Sequence, residues 1–488
     1  MNRFQSSLPL VRQLAEELSG RGVRWCHRGS NGALERPSAG LQDFDLLVWR
    51  LDAQRFIEIL QRLRFKEARP VAARDLPGAV HYYGYDGQAD RIVRVHARFQ
   101  PVFEDDATKN QRMQIERAFL HQRVQPAVSS ETSAEVEFIV FVCQMLVKYA
   151  TWYAILPAQR GSLSRGEREE LEHLEKHSDR SRTLEIFERQ FACLPARHFD
   201  EWVAALRTGS SRRRRFRAGR EVRAAQRIQA RRRGLAGRRL GLWRRVAWEL
   251  PWHWGRRGRM GLVSGGELIA LVGADGAGKS SAVDALYDWL SPHLRVARIH
   301  MGKPRWSWST FPIKATLKLL RHHSGLRGRW RSPASPPSRE ERGGFGQLIW
   351  HTVTARDRYR AYQRARRLAA RGALVLCDRF PLPDIESMDG RRARRLSPAW
   401  RPWPVRMLID LEERYYAAID PPELLIVMRV HPDVALRRRP EDPEDRVRQR
   451  ALEVLEVDGT AMGAHLVDAS LPMREVHREL KSWIWARL

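Results

Sequence analysis

Glu267–Tyr287 reads ELIALVGADGAGKSSAVDALY. The unbroken apolar run Leu268–Val272 has the length and composition of a buried strand, and the apolar spacing after Ser281 is that of an amphipathic helix. Between them, Gly273, Gly278, Lys279 and Ser280 satisfy the phosphate-loop spacing G-x-x-x-x-G-K-[ST], with Asp275, Gly276 and Ser281 in the same turn. Glycines let backbone N–H groups converge on phosphate oxygens without Cβ clashes, and the helix N-terminus adds positive partial charge. Lys279 is expected to reach the outer phosphates and the Ser280 hydroxyl to ligand Mg²⁺. The stretch predicts a binding site for a nucleoside triphosphate, ATP with Mg²⁺.

Working outward, Arg295–Met301 reads as a second strand, and Trp306–Phe345, basic and rich in Pro, Ser and Gly, as a surface insertion with a short helix near Ile313–Leu320. A long helix is expected from Phe345 to Arg371, ended by Gly372. The apolar strand ALVLC that follows ends in Asp378-Arg379-Phe380. An aspartate at the tip of a buried strand beside a phosphate loop is placed for Mg²⁺, and Arg379 can fork onto a second phosphate. Leu424–Val430 is a further buried strand. The arginine-rich, proline-broken segment after it carries Arg437, Arg438, Arg439, Arg446, Arg448 and Arg450 and suits a lid over a transferred phosphoryl group. A strand at His465–Asp468 and a closing helix complete the chain. Alternating strands and helices predict an α/β domain over 263–488, a parallel sheet with helices on both faces.

These features together resemble the thymidylate kinase family of P-loop nucleoside monophosphate kinases. The motifs are the loop GADGAGKSS, the helix segment TARDRYR (Thr354–Arg360) and the strand end DRF. The resemblance implies that Asp275 contacts the acceptor's sugar, that Arg358 reads its base and that Arg379 binds its phosphate. It also implies catalytic arginines in the lid, with Arg437, Arg439 and Arg446 as candidates. The family follows its D-R-[YFH] with a serine and an A-Y-Q segment. Here PLPDIESMDG brings Asp384, Glu386 and Asp389 instead, so phosphate handling is implied while the acceptor is left open between dTMP, another nucleotide, and a phosphorylated sugar or other small molecule.

Toward the N-terminus, a helix is expected at Leu8–Leu18, strands at Val23–Cys26 and Phe44–Trp49, and a turn at Gly29-Ser30. In a strand, Asp43 and Asp45 fall on one face, where two carboxylates can hold Mg²⁺. GS, a spacer and D-F-D resemble the signature of the nucleotidyltransferase superfamily with its DNA polymerase β-like α+β fold. That implies a triphosphate grip by Gly29 and Ser30 and metal binding by Asp43 and Asp45. The strand Arg91–Phe99 offers Arg94 or His96 where the family has a third acid. An inactive substrate-binding or scaffold domain is therefore expected over 1–125, the alternative being a two-carboxylate transferase of altered mechanism.

Residues 126–206 carry helical patterns with no recognisable chemistry and are expected to pack on the first domain as a helical extension. Residues 207–262 read as a basic linker, with Arg212–Arg215 unbroken and Trp243, Trp248, Trp252 and Trp254 interleaved among further arginines. The chain has 488 residues, a net charge of +30 and a hydrophobic fraction of 43%, which excludes a disordered chain and predicts attraction to polyanions. Solvated arginines are the plainer explanation of 207–262; a grip on nucleic acid or an anionic membrane is the other. Cys26, Cys143, Cys193 and Cys377 form no C-x-x-C pair, which argues against a zinc site or a disulfide framework and suits a reducing cytoplasm. The most apolar stretch, Phe138–Val147, is too short to span a bilayer. The expected partners are a nucleotide or small phosphorylated substrate, with a homodimer also compatible. The rival functions are an ATP-gated scaffold and nucleotidyl transfer by the N-terminal half.

Overall fold

The computed structural model describes residues 8–27, 42–70, 78–99, 102–103, 111–112, 134–149, 163–191, 194–207, 209–225, 260–302, 310, 313, 315, 345–382, 390–396, 402–459 and 461–488. Gly29, Ser30, the side chain of Asp43, the basic stretch 226–259, nearly all of the 306–345 insertion with its expected helix, and Asp384, Glu386 and Asp389 lie outside the described residues. The chain divides into two compact units, Met1–Gly258 and Arg259–Leu488.

In the first unit, α1 (Pro9–Gly20) starts on a proline whose ring pre-sets the first helical φ, and its stripe Val11, Leu14, Leu18 is buried. The strands are β1 (Trp25–His27), β2 (Gln42–Val48), β3 (Lys66–Pro70), β4 (Ala79–Asp86) and β5 (Arg91–Arg98), with α2 (Ala53–Arg62) between β2 and β3. They lie in the order β1-β2-β5-β4-β3, with β2 and β5 parallel and the other neighbours antiparallel. The stripes of α1 and α2 close one core with Trp25, Phe44, Leu46, Tyr82, Val93 and Val95. A short antiparallel ribbon, β6 (Val102–Phe103) with β7 (Gln111–Arg112), follows β5.

Among the described residues there follow α3 (Ala134–Tyr149), α4 (Arg165–His177), α5 (Arg180–Gln190), α6 (Arg197–Leu206) and α7 (Arg212–Ala225). The apolar stretch of α3 is buried around nearly its whole circumference because the neighbouring helices cover it; a helix hydrophobic all round is a bundle core. Among the described residues no helix is long and apolar enough to cross a membrane. The arginine run Arg212–Arg215 was expected in a linker; it lies instead on α7, which docks through Ala218 and Val222 on the same core. Polar contacts add to this seat: Arg223 Nη2 donates to Val147 O (2.8 Å) and Trp202 Nε1 to Glu221 (3.2 Å).

In the second unit, a short β8 (Met260–Leu262) ties down the turns before two later strands, through Arg295 N to Met260 O (2.8 Å) and Leu262 N to Gly372 O (3.0 Å). The elements then alternate: β9 (Leu268–Gly273), α8 (Lys279–Leu290), β10 (Val296–His300), α9 (Phe345–Ala369), β11 (Leu374–Asp378), α10 (Ala393–Leu396), α11 (Trp403–Ala417), β12 (Leu424–Arg429), α12 (Pro432–Arg438), α13 (Glu444–Leu455), β13 (His465–Asp468) and α14 (Met473–Arg487). The sheet is parallel throughout, in the order β10-β11-β9-β12-β13, and is flanked by helices. β9 and β11 are buried along their whole length, as strands covered on both faces must be. From β9 the chain first moves to one side of the sheet and later crosses to the other. The crevice outside the carboxyl end of β9 is thus the switch point where ligands bind in such sheets.

Candidate functional site

The loop after β9 is shaped by its backbone. Gly273 lies so close to β12 that a Cβ there would stand 2.5 Å from the Met428 carbonyl oxygen. Gly278 caps α8 in the left-handed region (φ 81°), which a side chain would strain, and no side chain caps the helix. Its first-turn N–H groups are thus left uncapped by side chains, an arrangement suited to an anion. Gly276 (φ +85°) passes against Ala435 of α12, tying the loop to the arginine-rich segment.

Lys279 is buried and its Nζ donates to the Ala274 carbonyl at 2.6 Å, so the ammonium is folded back over the loop. The Ser280 hydroxyl donates to Asp378 Oδ2 at 3.2 Å, joining the first turn of α8 to the tip of β11. His300 Nε2 lies 3.8 Å from the same oxygen. Asp378 is 7% exposed, and its other oxygen, Oδ1, is buried without a hydrogen-bond partner among the described residues. A carboxylate oxygen left so beside a hydroxyl is a donor set that suits a hard divalent cation such as Mg²⁺. Ser281 is exposed on the next position of α8.

Arg379 follows Asp378 with a left-handed backbone (φ 61°), a conformation that costs a non-glycine residue about 1–2 kcal/mol. With the backbone so turned, Nη2 comes within 3.4 Å of Asp275 Oδ1 in the phosphate loop. Arg450, on α13, donates from Nη1 to Asp275 Oδ2. Burial raises the Asp275 pKa, but Arg450, Lys279 and Arg379 outweigh it and hold the carboxyl below its ordinary value. Arg446, one turn before Arg450, is half-buried. Its pKa is lowered by burial and by the positive charges of Arg450 and Arg379, against the pull of Asp275 and Asp442.

The crevice thus brings together Gly273, Asp275, Gly276, Gly278, Lys279, Ser280, Asp378, Arg379 and Arg446. The other lid candidates, Arg437 and Arg439, are exposed at the end of α12. Between them, Arg438 Nη1 donates to Gly276 O (3.2 Å) and Ala469 O (2.8 Å), bracing the loop. Arg358, expected to read a base, is 7% exposed. It donates from Nε to Met301 O (3.0 Å), from Nη2 to Gly302 O (3.1 Å) and from Nη1 to the Tyr416 hydroxyl. In this structure it anchors the chain beyond β10. Arg450 is an arginine of the lid segment to which the family resemblance assigns no role. Its signal is register, because Val447, Arg450, Ala451 and Val454 form the buried stripe of α13 and one member of that stripe is an arginine.

In the first unit, parallel pairing sets Asp43 opposite Arg94 and Asp45 opposite His96. Asp45 Oδ1 lies 3.0 Å from His96 Nδ1, and His96 stacks on His81 at 4.3 Å between ring centroids. Burial pushes the His96 pKa down despite Asp45. Among the described residues, the positions paired in line with Asp45 on this face are His96 and His81, with Arg94 and Arg98 to either side of His96. No family model matches the chain.

Proposed function

We propose that the second unit is a thymidylate kinase-like P-loop kinase that transfers the γ-phosphoryl group of ATP to a nucleoside monophosphate or a similar phosphorylated acceptor. The observation that carries this is the Ser280–Asp378 hydrogen bond beside buried Lys279, at the switch point of a parallel sheet. In the reaction, an oxygen of the acceptor's phosphate forms a bond to Pγ while the bond from Pγ to the β,γ-bridging oxygen breaks. ADP leaves with that electron pair. A phosphate nucleophile is already deprotonated at neutral pH, so no strong base is needed.

The α8 N-terminus and the loop N–H groups bind the donor phosphates, and Lys279 turns from Ala274 O to the β- and γ-oxygens. Ser280 and Asp378 would hold Mg²⁺, which when bound neutralises donor charge. Arg379 orients the acceptor phosphate. Arg437, Arg439 and Arg446 are the lid cations for charge developing on the transferred group, and Arg446 is the one of the three whose charge is felt by Arg379 and Asp275. The test is transfer from γ-labelled ATP to a panel of nucleoside monophosphates and sugar phosphates. Lys279→Ala should abolish turnover, and undiminished turnover in that variant would overturn the proposal.

For the first unit we infer a nucleotidyltransferase-like scaffold without that family's chemistry, on the strength of the Asp45–His96 contact. A second reading of the whole chain, ATP-gated binding of nucleic acid or an anionic membrane, draws on the exposed Arg212, Arg213, Arg214, Arg217 and Arg220 of α7. It requires steeply salt-dependent binding of DNA or anionic vesicles that changes with ATP.

A further inference from the structure

The crevice holds more cation than the phosphate-loop motif accounts for. The Arg450 side chain is 10% exposed and sits in the apolar stripe of α13, where a guanidinium is costly unless an anion meets it. The anion it meets is Asp275, 18% exposed and shared with Arg379: one carboxylate oxygen faces Arg379 Nη2 and the other faces Arg450 Nη1. Lys279 and Arg446 add positive charge around the same carboxylate. Asp378, the neighbouring acid, is engaged with Ser280 on the side suited to a cation. Arg379 follows β11, Arg450 lies on the helix pair after β12, and Asp275 follows β9. Two guanidinium groups from separate segments thus converge on the two oxygens of one small anion, as guanidinium groups do when they share a phosphate.

We propose that Arg450 is a second acceptor-binding arginine and that the Asp275 carboxylate occupies its place until substrate arrives. A phosphomonoester dianion displaces the carboxylate from both Arg379 and Arg450. The site thereby selects an acceptor with a terminal phosphate over one that offers only a hydroxyl. This rests on the kinase reading and extends it to a residue and a selection rule.

The test is calorimetric titration of inorganic phosphate into the full chain saturated with Mg²⁺ and a non-hydrolysable ATP analogue. Wild type should bind phosphate. Arg450→Gln should weaken phosphate binding about 10-fold or more while leaving the affinity for the ATP analogue unchanged. Arg450→Lys should recover part of the loss, since it keeps the charge without the fork. Asp275→Asn, which removes the competing carboxylate charge, should tighten phosphate binding. An ion pair of purely structural role would weaken phosphate in both Arg450→Gln and Asp275→Asn, and that result overturns the proposal, as does unchanged affinity in Arg450→Gln. Should Arg450→Gln fail to fold, the opposite signs expected of Arg450→Lys and Asp275→Asn decide. A wild-type chain that binds the ATP analogue but not phosphate defeats this inference alone, whereas one that does not bind the analogue defeats the kinase reading.

Discussion

The Ser280 hydroxyl and Asp378 Oδ2 meet at 3.2 Å although 98 positions separate them in the chain. Parallel pairing of β9 with β11, which sets Leu271 opposite Asp378, is what makes the meeting possible. If the pair is a cation site, Ser280→Ala and Asp378→Asn should each remove the Mg²⁺ dependence of nucleotide binding. Titrating an ATP analogue with and without Mg²⁺ measures it. Wild-type affinity should rise on adding Mg²⁺ and that of the variants should not, the expected loss being about 10-fold or more. A full Mg²⁺ response in Asp378→Asn would rule out this role.

Gly273 tests the shape of the loop. A methyl group there meets the Met428 backbone oxygen at 2.5 Å, so either β12 or the loop must move. Gly273→Ala should destabilise the second unit by about 1–3 kcal/mol and reduce nucleotide affinity. Gly166, on the exposed first turn of α4, where a methyl group would meet none of the described residues within 4 Å, is the control. Gly166→Ala should be neutral or stabilise by about 0.5–1 kcal/mol. Chemical denaturation of both variants compares them.

Glu167 accepts hydrogen bonds from Lys148 Nζ (2.8 Å), the Tyr149 hydroxyl (2.6 Å) and Ser164 N (2.7 Å), closing the capping box of α4. Burial alone would raise its pKa, but these donors bring it from 4.5 down to about 2. A carboxyl depressed on folding contributes stability that is fully present above its unfolded pKa and lost as pH falls through the folded one. Glu167→Gln should therefore cost about 1–2 kcal/mol at neutral pH, a figure that allows for solvent screening. The gap to wild type should close between pH 4.5 and about 2. Denaturant melts across that range would show it, and a gap independent of pH would contradict the assignment.

Asp45 separates the two halves of the chain as sites of activity. With its Oδ1 against buried His96, Asp45→Asn should leave phosphoryl transfer by the second unit intact. Loss of a nucleotidyl-transfer activity in that variant would instead return the first unit to the transferases.

The strand, the glycine turn and the helix start at 268–290 could be read directly, because each depends on local constraints: an apolar run, residues tolerating left-handed φ, and a lysine and hydroxyl at fixed offsets. The strand ending in Asp378 was legible for the same reason. Which acid meets which arginine was not. Along the chain Arg450 differs from Arg437, Arg439 and Arg446 only in its register with the apolar residues of α13, and it is the docking of α12 and α13 that brings it to Asp275 while leaving Arg437 and Arg439 exposed. The arginine run of α7 is a similar case. Its charge is plain in the sequence, but its place in a helical bundle rests on Ala218 and Val222, whose burial depends on neighbours distant in the chain. Composition and short-range spacing specify backbone shape and donor type. Long-range packing decides which charges share a low-dielectric crevice, since that depends on which helix face the rest of the fold covers.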